Sequence, residues 1–388
     1  MLRLETLRKE RGFSPDTLEV GEYRVEKEKG FGWGPLSYSQ IAEFLTCPAC
    51  WRGHREKHWP VPKSKEMIVS SFLHDLVADL HRPIDKEKIR FRSPKTLLSY
   101  MRKHHPRKLR GSTEGKQWLD FLESEEGQEE IPAISEAVVR YYLMNKQARI
   151  EGIERQINFK LVMGDVGEIP MVAILDQIKA EPIGDLRKKT GGRRRKFQRQ
   201  IVELKRNVSP SRLWLSLQTG IQLLAYRAVY PDQQVPPKIV VYEFSTGKRF
   251  VRQGGDENKL IKGIFCAKRA MDLGFEDPSY RHSHYPQFKN QPQLYMEWLP
   301  GFEDEEGERI RQEGKRWQRA AREAFEDYDN SCSWEEIPPT VQVRRREEDH
   351  FEITLPNQYC FDCESSKVWM NLDGDICCPI HGRVGKLV

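Results

Sequence analysis

Between residues 153 and 245 the chain spells out a sheet. IERQINFKLVMG and IPMVAILDQIKA are strand-length runs rich in β-branched and long apolar residues, separated by the turn-forming GDVGE. A third short strand, QIVELKR, follows a basic, Gly-containing stretch. Helix 211–229 comes next, with Leu213, Leu217, Leu224 and Ala228 on its buried stripe. KIVVYEFS is a further strand and 257–272 a further helix. Upstream the pattern is helical. LSYSQIAEFL starts a helix that Ser39 can cap, with Ile41, Phe44 and Leu45 at helical spacing. Residues 66–81 carry Phe72, Leu73, Leu76, Val77 and Leu80 on one side, and helical patterns recur near 94–104, 114–124 and 130–146. Helices followed by strands with a helix between them imply an α/β core with a helical N-terminal part.

Composition narrows the function classes. Charged residues make up 31 % and the mean hydropathy is −0.71, and no apolar run approaches the roughly 20 residues of a membrane helix. The opening MLRLETLRKERGF has no apolar core of a secretory signal, so a cytoplasmic location and no membrane partner are expected. The net charge of +6 is mild, but eight of the thirteen residues 187–199 are Lys or Arg, and a second basic stretch runs from Arg102 to Arg110. Such clusters suit a phosphate backbone, although solvated surface loops have the same composition.

The chemistry resides in two of the strands. Side chains alternate along a strand, which puts Val172, Ile174, Asp176 and Ile178 on one face and Ile201, Glu203 and Lys205 on one face of the next. If these strands pair, two carboxylates and an ammonium converge. Carboxylate oxygens suit a hard divalent cation, which can activate water and stabilise charge on a phosphodiester under in-line attack. A nearby lysine can orient that water or offset developing charge. A Glu-x-Lys triplet alone is common in exposed or buried ion pairs and carries little by itself.

Its neighbours give it weight. LSYSQIAEFLTCPACW, SSFLHDLVADL, the pair AILDQI and IVELKR, and QTGIQLLAY occur in the order found in PD-(D/E)XK nucleases of the RecB-like group, which the chain resembles over residues 36 to 270. That group includes the RecB and AddB nuclease domains and CRISPR-associated adaptation exonucleases. The resemblance implies a restriction-endonuclease-like core, a central mixed sheet flanked by helices. It implies that Asp176, Glu203 and His74 ligate Mg²⁺ or Mn²⁺, that Lys205 positions the attacking water, and that Gln222 and Tyr226 line the cleft near DNA. Glu154, on the preceding strand, is a weaker supporting residue. Ser70 and Ser71 stand where the group usually has Gly, and the gap from Asp176 to Glu203 is long. A basic hairpin at about 182–199 fills that gap, so Arg193, Arg194, Arg195 and Lys196 are expected to touch DNA phosphates.

The eight cysteines cluster unevenly, which in a cytosolic chain points to metal rather than disulfides. Cys360-x2-Cys363 and Cys378-x2-His381 resemble a zinc ribbon, with Cys377 able to replace Cys378. The competing readings are unmetallated thiols and a 4Fe-4S cluster as in one branch of the family, drawing on Cys47, the Cys360-x2-Cys363 pair and Cys377, but the expected third C-terminal cysteine is missing from ESSKVWM. Cys50 is expected to be structural. The division expected is an extension at 1–35, a nuclease core at 36–300 with a helical insertion at about 83–150, a charged helical linker at 301–357, and a Cys-rich metal-binding module at 358–388. The function expected is DNA cleavage, chiefly from an end, in recombination, repair, phage or CRISPR-linked processing. A separate helicase or recombination or CRISPR protein would be its partner. The alternative is a non-catalytic nucleic-acid-binding protein that keeps the fold. Such a protein should have lost one of Asp176, Glu203 and Lys205, and all three are present.

Overall fold

The computed structural model describes residues 14–16, 18–27, 35–48, 50–52, 64–81, 83–84, 87–88, 93–109, 111, 113–145, 149–163, 167–182, 197–209, 212–232, 236–273, 305–339, 341–347, 350–354 and 368–386. A large mixed sheet forms the centre. In spatial order it contains β1 (Tyr23–Lys27), β3 (Arg149–Met163), β4 (Gly167–Pro182), β5 (Phe197–Lys205), β6 (Lys238–Glu243), β7 (Arg249–Gly254) and β8 (Cys332–Ile337). A two-residue strand, β2 (Leu36–Ser37), pairs parallel with β4 at Met171 and Val172. The seven longer strands are antiparallel to their neighbours except β5 and β6, which are parallel. The helix between those two, α7 (Leu213–Val229), supplies the crossover that a parallel pair requires.

Each face of the sheet has its own core. On one face lie α1 (Tyr38–Thr46), α7, α8 (Glu257–Asp272) and α9 (Glu305–Asn330), burying Ile41, Phe44, Leu217, Ile221, Ile264 and Phe325 against Phe159, Leu161 and Met171. On the other lie α2 (Lys65–His81), α3 (Pro94–Ser99), α4 (His105–Leu109), α5 (Thr113–Glu123) and α6 (Glu125–Asn145). A π-helical turn, Tyr100–His104, joins α3 to α4. Their Val69, Phe72, Trp118 and Val138 pack with Val202, Leu204, Val240 and Tyr242. The segment expected as a helical insertion is therefore the layer that covers the second face. The hairpin β9 (Gln342–Glu347) and β10 (His350–Thr354), and the three-stranded β11 (Trp369–Met370), β12 (Asp375–Cys378) and β13 (Gly382–Lys386), join this second core through Val343, Ile353 and Met370.

Three expectations are corrected. The expected extension contributes β1, a full strand of the main sheet, because Tyr23 to Lys27 complete the edge of β3. The expected linker is core. Trp317, Ala321, Phe325 and Tyr328 of α9 are almost wholly buried, and the charges occupy the outer side of a strongly amphipathic helix. Ser37 rather than Ser39 caps α1, its hydroxyl accepting from the Gln40 N–H at 3.3 Å. Residues 183–196, the basic hairpin tip, lie outside the described residues.

The first core is tight where helices cross. A Cβ built on Gly263 would lie 2.4 Å from the buried Phe325 ring. Gly263→Ala is therefore expected to lower stability by about 1–3 kcal/mol through overpacking, read as a lower urea midpoint with unchanged slope.

Candidate active site

The site begins with a parting of two strands. The β4–β5 ladder runs from Pro182 and Phe197 to Gln177 and Val202 and stops there. β5 continues alone on that side, pairing with β6 as far as Lys205 and Glu243. In a parallel ladder alternate residues turn their backbone groups to one neighbour. Leu204 accordingly turns its N–H and C=O away from β6, toward the strand that has left. Both groups are nonetheless satisfied, as burial demands. The Asp176 carboxylate accepts the Leu204 N–H at 2.8 Å, and His74 Nε2 lies 3.0 Å from the Leu204 carbonyl oxygen.

The second contact fixes the imidazole. A carbonyl can only accept, so Nε2 carries the proton and Nδ1 presents its lone pair. Burial holds the His74 pKa below its ordinary value, which keeps the ring neutral. Nδ1 faces Asp176 Oδ1 at 3.7 Å. A lone pair and a carboxylate oxygen therefore share one space.

Asp176 reaches this position because strand alternation breaks there. Ala173, Leu175 and Ile178 all enter the same core, Ile174 is 55 % exposed, and Gln177 donates to the Tyr141 hydroxyl in the other layer. The expected common face of Val172, Ile174, Asp176 and Ile178 therefore does not exist. The phase shift has a visible origin on β3. Ile153 pairs with Gln177 and Arg155 with Leu175, and between them Glu154 adopts φ +42°, a left-handed conformation costing on the order of 1 kcal/mol. Glu154 stands across from Asp176. Its carboxylate is close enough for its charge to act on His74.

Glu203 is 1 % exposed and heavily bonded. Its Oε1 accepts from Lys205 Nζ at 2.8 Å and from Gln218 Nε2 at 2.5 Å, and its Oε2 accepts from Gln222 Nε2 at 2.6 Å. Gln222 also donates to the Ile174 carbonyl at 3.0 Å, tying β4 to α7 across the parted strands. Burial, and then the charge of Glu203, push the Asp176 pKa well above its ordinary value. Burial pulls the Lys205 pKa down, but the Glu203 carboxylate outweighs it and holds the ammonium charged. The site thus holds two crowded carboxylates, one ammonium and a neutral imidazole.

This donor set fits a hard divalent cation. The imidazole lone pair and Asp176 Oδ1 are adjacent, the carboxylates exceed the local positive charge by one, and the buried Gln222 Oε1 has no donor, as a metal-bound water would provide. Among the described residues no group of three His, Cys, Asp or Glu side chains is already spaced as a metal cage. Glu203 is instead drawn onto Lys205 and Gln218.

The structure thus gathers His74, Asp176, Glu203 and Lys205 at the parted strands. Gln222 and Tyr226, expected along a DNA cleft, are 2 % and 1 % exposed and face inward. Gln222 holds Glu203, and the Tyr226 hydroxyl meets Arg199, whose guanidinium lies 4.9 Å over the Tyr230 ring. Both belong to a helix, α7, that is buried along almost its whole length. Arg193, Arg194, Arg195 and Lys196 lie outside the described residues, as do Cys360 and Cys363. Two participants were not expected. Gln218 bridges Glu203 and Lys205, and Tyr38, the first residue of α1, lies close enough to both for their charges to act on its hydroxyl. The spacing of Gln218 one turn before Gln222 was its only sequence signal.

Among the described residues the clustered cysteines fall in two places. Cys47 is buried at the end of α1, where its sulfur accepts the Cys50 N–H at 3.2 Å. Cys377 and Cys378 sit on β12, whose hairpin packs on the opposite layer. Within the hairpin, Cys378 Sγ lies 3.9 Å from His381 Nδ1.

The family model described as the PD-(D/E)XK nuclease superfamily matches residues 35–367. No curated protein matches the chain.

The raised Asp176 pKa has a thermodynamic consequence. An acid whose folded-state pKa exceeds its unfolded value near 3.8 costs the fold stability as pH rises through the folded pKa. Without metal, Asp176→Asn is therefore expected to melt roughly 2–4 °C above the wild type at neutral pH, a gap that narrows in acid. Mg²⁺ or Mn²⁺ should raise the melting temperature of the wild type alone. Equal melting curves with and without metal would count against the arrangement.

Proposed function

Because the chain belongs to the PD-(D/E)XK nuclease superfamily, whose members typically use divalent metals such as Mg²⁺, we propose that it is a metal-dependent deoxyribonuclease acting at the parting of β4 and β5. The reading is carried by one observation: Asp176, Glu203, Lys205 and His74 meet where two strands of the sheet diverge. His74 Nδ1, Asp176 Oδ1 and the remaining lone pair of Glu203 Oε2 are the atoms that would hold Mg²⁺ or Mn²⁺. When bound, the cation supplies an activated water and neutralises charge on the scissile phosphate.

The chain's own groups do the rest. Lys205 keeps its proton beside Glu203 and offers an N–H to the phosphate oxygen or the attacking water. His74 stays neutral and keeps its lone pair available. Gln222 and the Leu204 backbone hold the two carboxylates in place without consuming all their lone pairs. The basic residues Arg193, Arg194, Arg195 and Lys196 contact DNA phosphates on this reading, and cleavage proceeds from strand ends in recombination, repair or CRISPR-linked processing with a separate helicase or recombination protein. RecB-like membership is part of the same proposal.

Linear DNA should be degraded with Mg²⁺ or Mn²⁺ and spared with a chelator, and closed circular DNA should survive. Glu203→Ala and Lys205→Ala should each lower the rate at least ~100-fold. Variants as active as the wild type would overturn the reading, and cutting of closed circles would make it an endonuclease.

For the C-terminal hairpin we propose a zinc site using Cys378 and His381, supported by their 3.9 Å approach, with Cys360 and Cys363 completing it. Metal analysis should find one zinc per chain. Iron in its place would replace this reading with a cluster, and neither metal would remove both.

A further inference from the structure

We infer that Gln218 is the positioning residue for Lys205. The inference rests on the nuclease reading above for its catalytic meaning, but its geometry stands independently. Gln218 lies on α7 one turn before Gln222, and its amide meets both members of the strand's Glu-x-Lys pair. Gln218 Oε1 accepts from Lys205 Nζ at 2.9 Å, and Gln218 Nε2 donates to Glu203 Oε1 at 2.5 Å. Lys205 Nζ and Glu203 Oε1 are themselves 2.8 Å apart, so the three groups close a triangle.

Chemistry fixes the orientation of that amide. Turned over, it would set its NH₂ against an ammonium that can only donate and its oxygen against a carboxylate that can only accept. An amide suits the place, because it presents a strong acceptor and a strong donor side by side on one rigid plane. A glutamate would repel Glu203, and a lysine would repel Lys205.

The triangle determines what Lys205 has left to offer. An ammonium carries three N–H donors. Glu203 takes one and Gln218 takes a second. The third stays uncommitted, and the side chain keeps 33 % of its surface exposed, in contrast to the 2 % of Glu203. A lysine stem is flexible and loses rotamer freedom when held, so a lone Lys–Glu contact would leave the head free to swing about one oxygen. Two fixed acceptors reduce that swing to one direction, and the third N–H is aimed by exclusion. Gln222 serves the carboxylate and the neighbouring strand instead, its NH₂ going to Glu203 Oε2 and the Ile174 carbonyl. The two glutamines divide the work: Gln222 fixes the carboxylate to β4, and Gln218 fixes the ammonium to the carboxylate.

Gln218→Met tests this, because it keeps the volume and removes both hydrogen bonds. Single-turnover cleavage of linear DNA should slow about 10- to 100-fold with KM and melting temperature near the wild-type values. In a Lys205→Ala background the same substitution should cost less than about twofold, since there is no ammonium left to aim. A Gln218→Met enzyme with wild-type kcat, or one whose loss is undiminished in the Lys205→Ala background, would overturn the inference. A second readout needs no activity. Reductive methylation followed by peptide mass spectrometry should show Lys205 labelled several-fold faster in Gln218→Met, with other lysines unchanged. Unchanged Lys205 labelling would also overturn it. A wild type that cleaves no nucleic acid while the labelling shift persists would sink the nuclease reading and leave the lysine's anchor standing.

Discussion

The structure around the site depends on two backbone groups of one residue, the N–H and C=O of Leu204. A sheet normally answers such groups with the next strand. Here β4 has parted from β5, and a carboxylate and an imidazole take the strand's place. An unanswered buried backbone group costs roughly 1–3 kcal/mol, so the fold itself holds Asp176 and His74 at the parting. Their placement does not require a bound ion. The same contacts determine which atoms remain available: Asp176 Oδ1 and His74 Nδ1, facing each other.

A balance of charge builds on that frame. Two carboxylates approach each other in a buried place with one ammonium beside Glu203, and the cheapest relief without a cation is a proton on Asp176. Helix α7 presses its polar edge into this arrangement and its apolar surface into the core. A helix that looks half polar in sequence is thereby almost entirely buried. The polar residues are inside because they have partners there, the condition for burying them at all.

Much of this was legible in the residues. The strands around Asp176 and Glu203, the helix bearing His74 and the order of elements follow from periodicity and the quoted motifs. The part that was not legible has physical causes. Alternation predicts a continuous face through Ile174, Asp176 and Ile178, and it breaks where the neighbouring strand carries the left-handed Glu154 and a register shift at Ile150 and Gly152. The resemblance placed Gln222 and Tyr226 along a cleft, and what it did not convey is that hydrogen bonding to Glu203 and to Arg199 draws them inward. The dense charge of α9 suggested a linker. It marks only the outer side of a helix whose inner side carries Trp317, Phe325 and Tyr328.

That helix has a consequence for the chain during its synthesis. Gln318 and Arg322 of α9 donate to the carbonyls of Phe44 and Leu45 at the end of α1, across 274 and 277 residues of sequence. Every group gathered at the parted strands has been made by residue 222, yet the layer over them is not sealed until Phe325 arrives. At about 5–20 residues per second, the 103 residues from Gln222 to Phe325 take roughly 5–21 s to emerge. For that interval the nascent chain carries its reactive side chains on an unfinished core. The last helix of that layer therefore sets when the site acquires its rigid support.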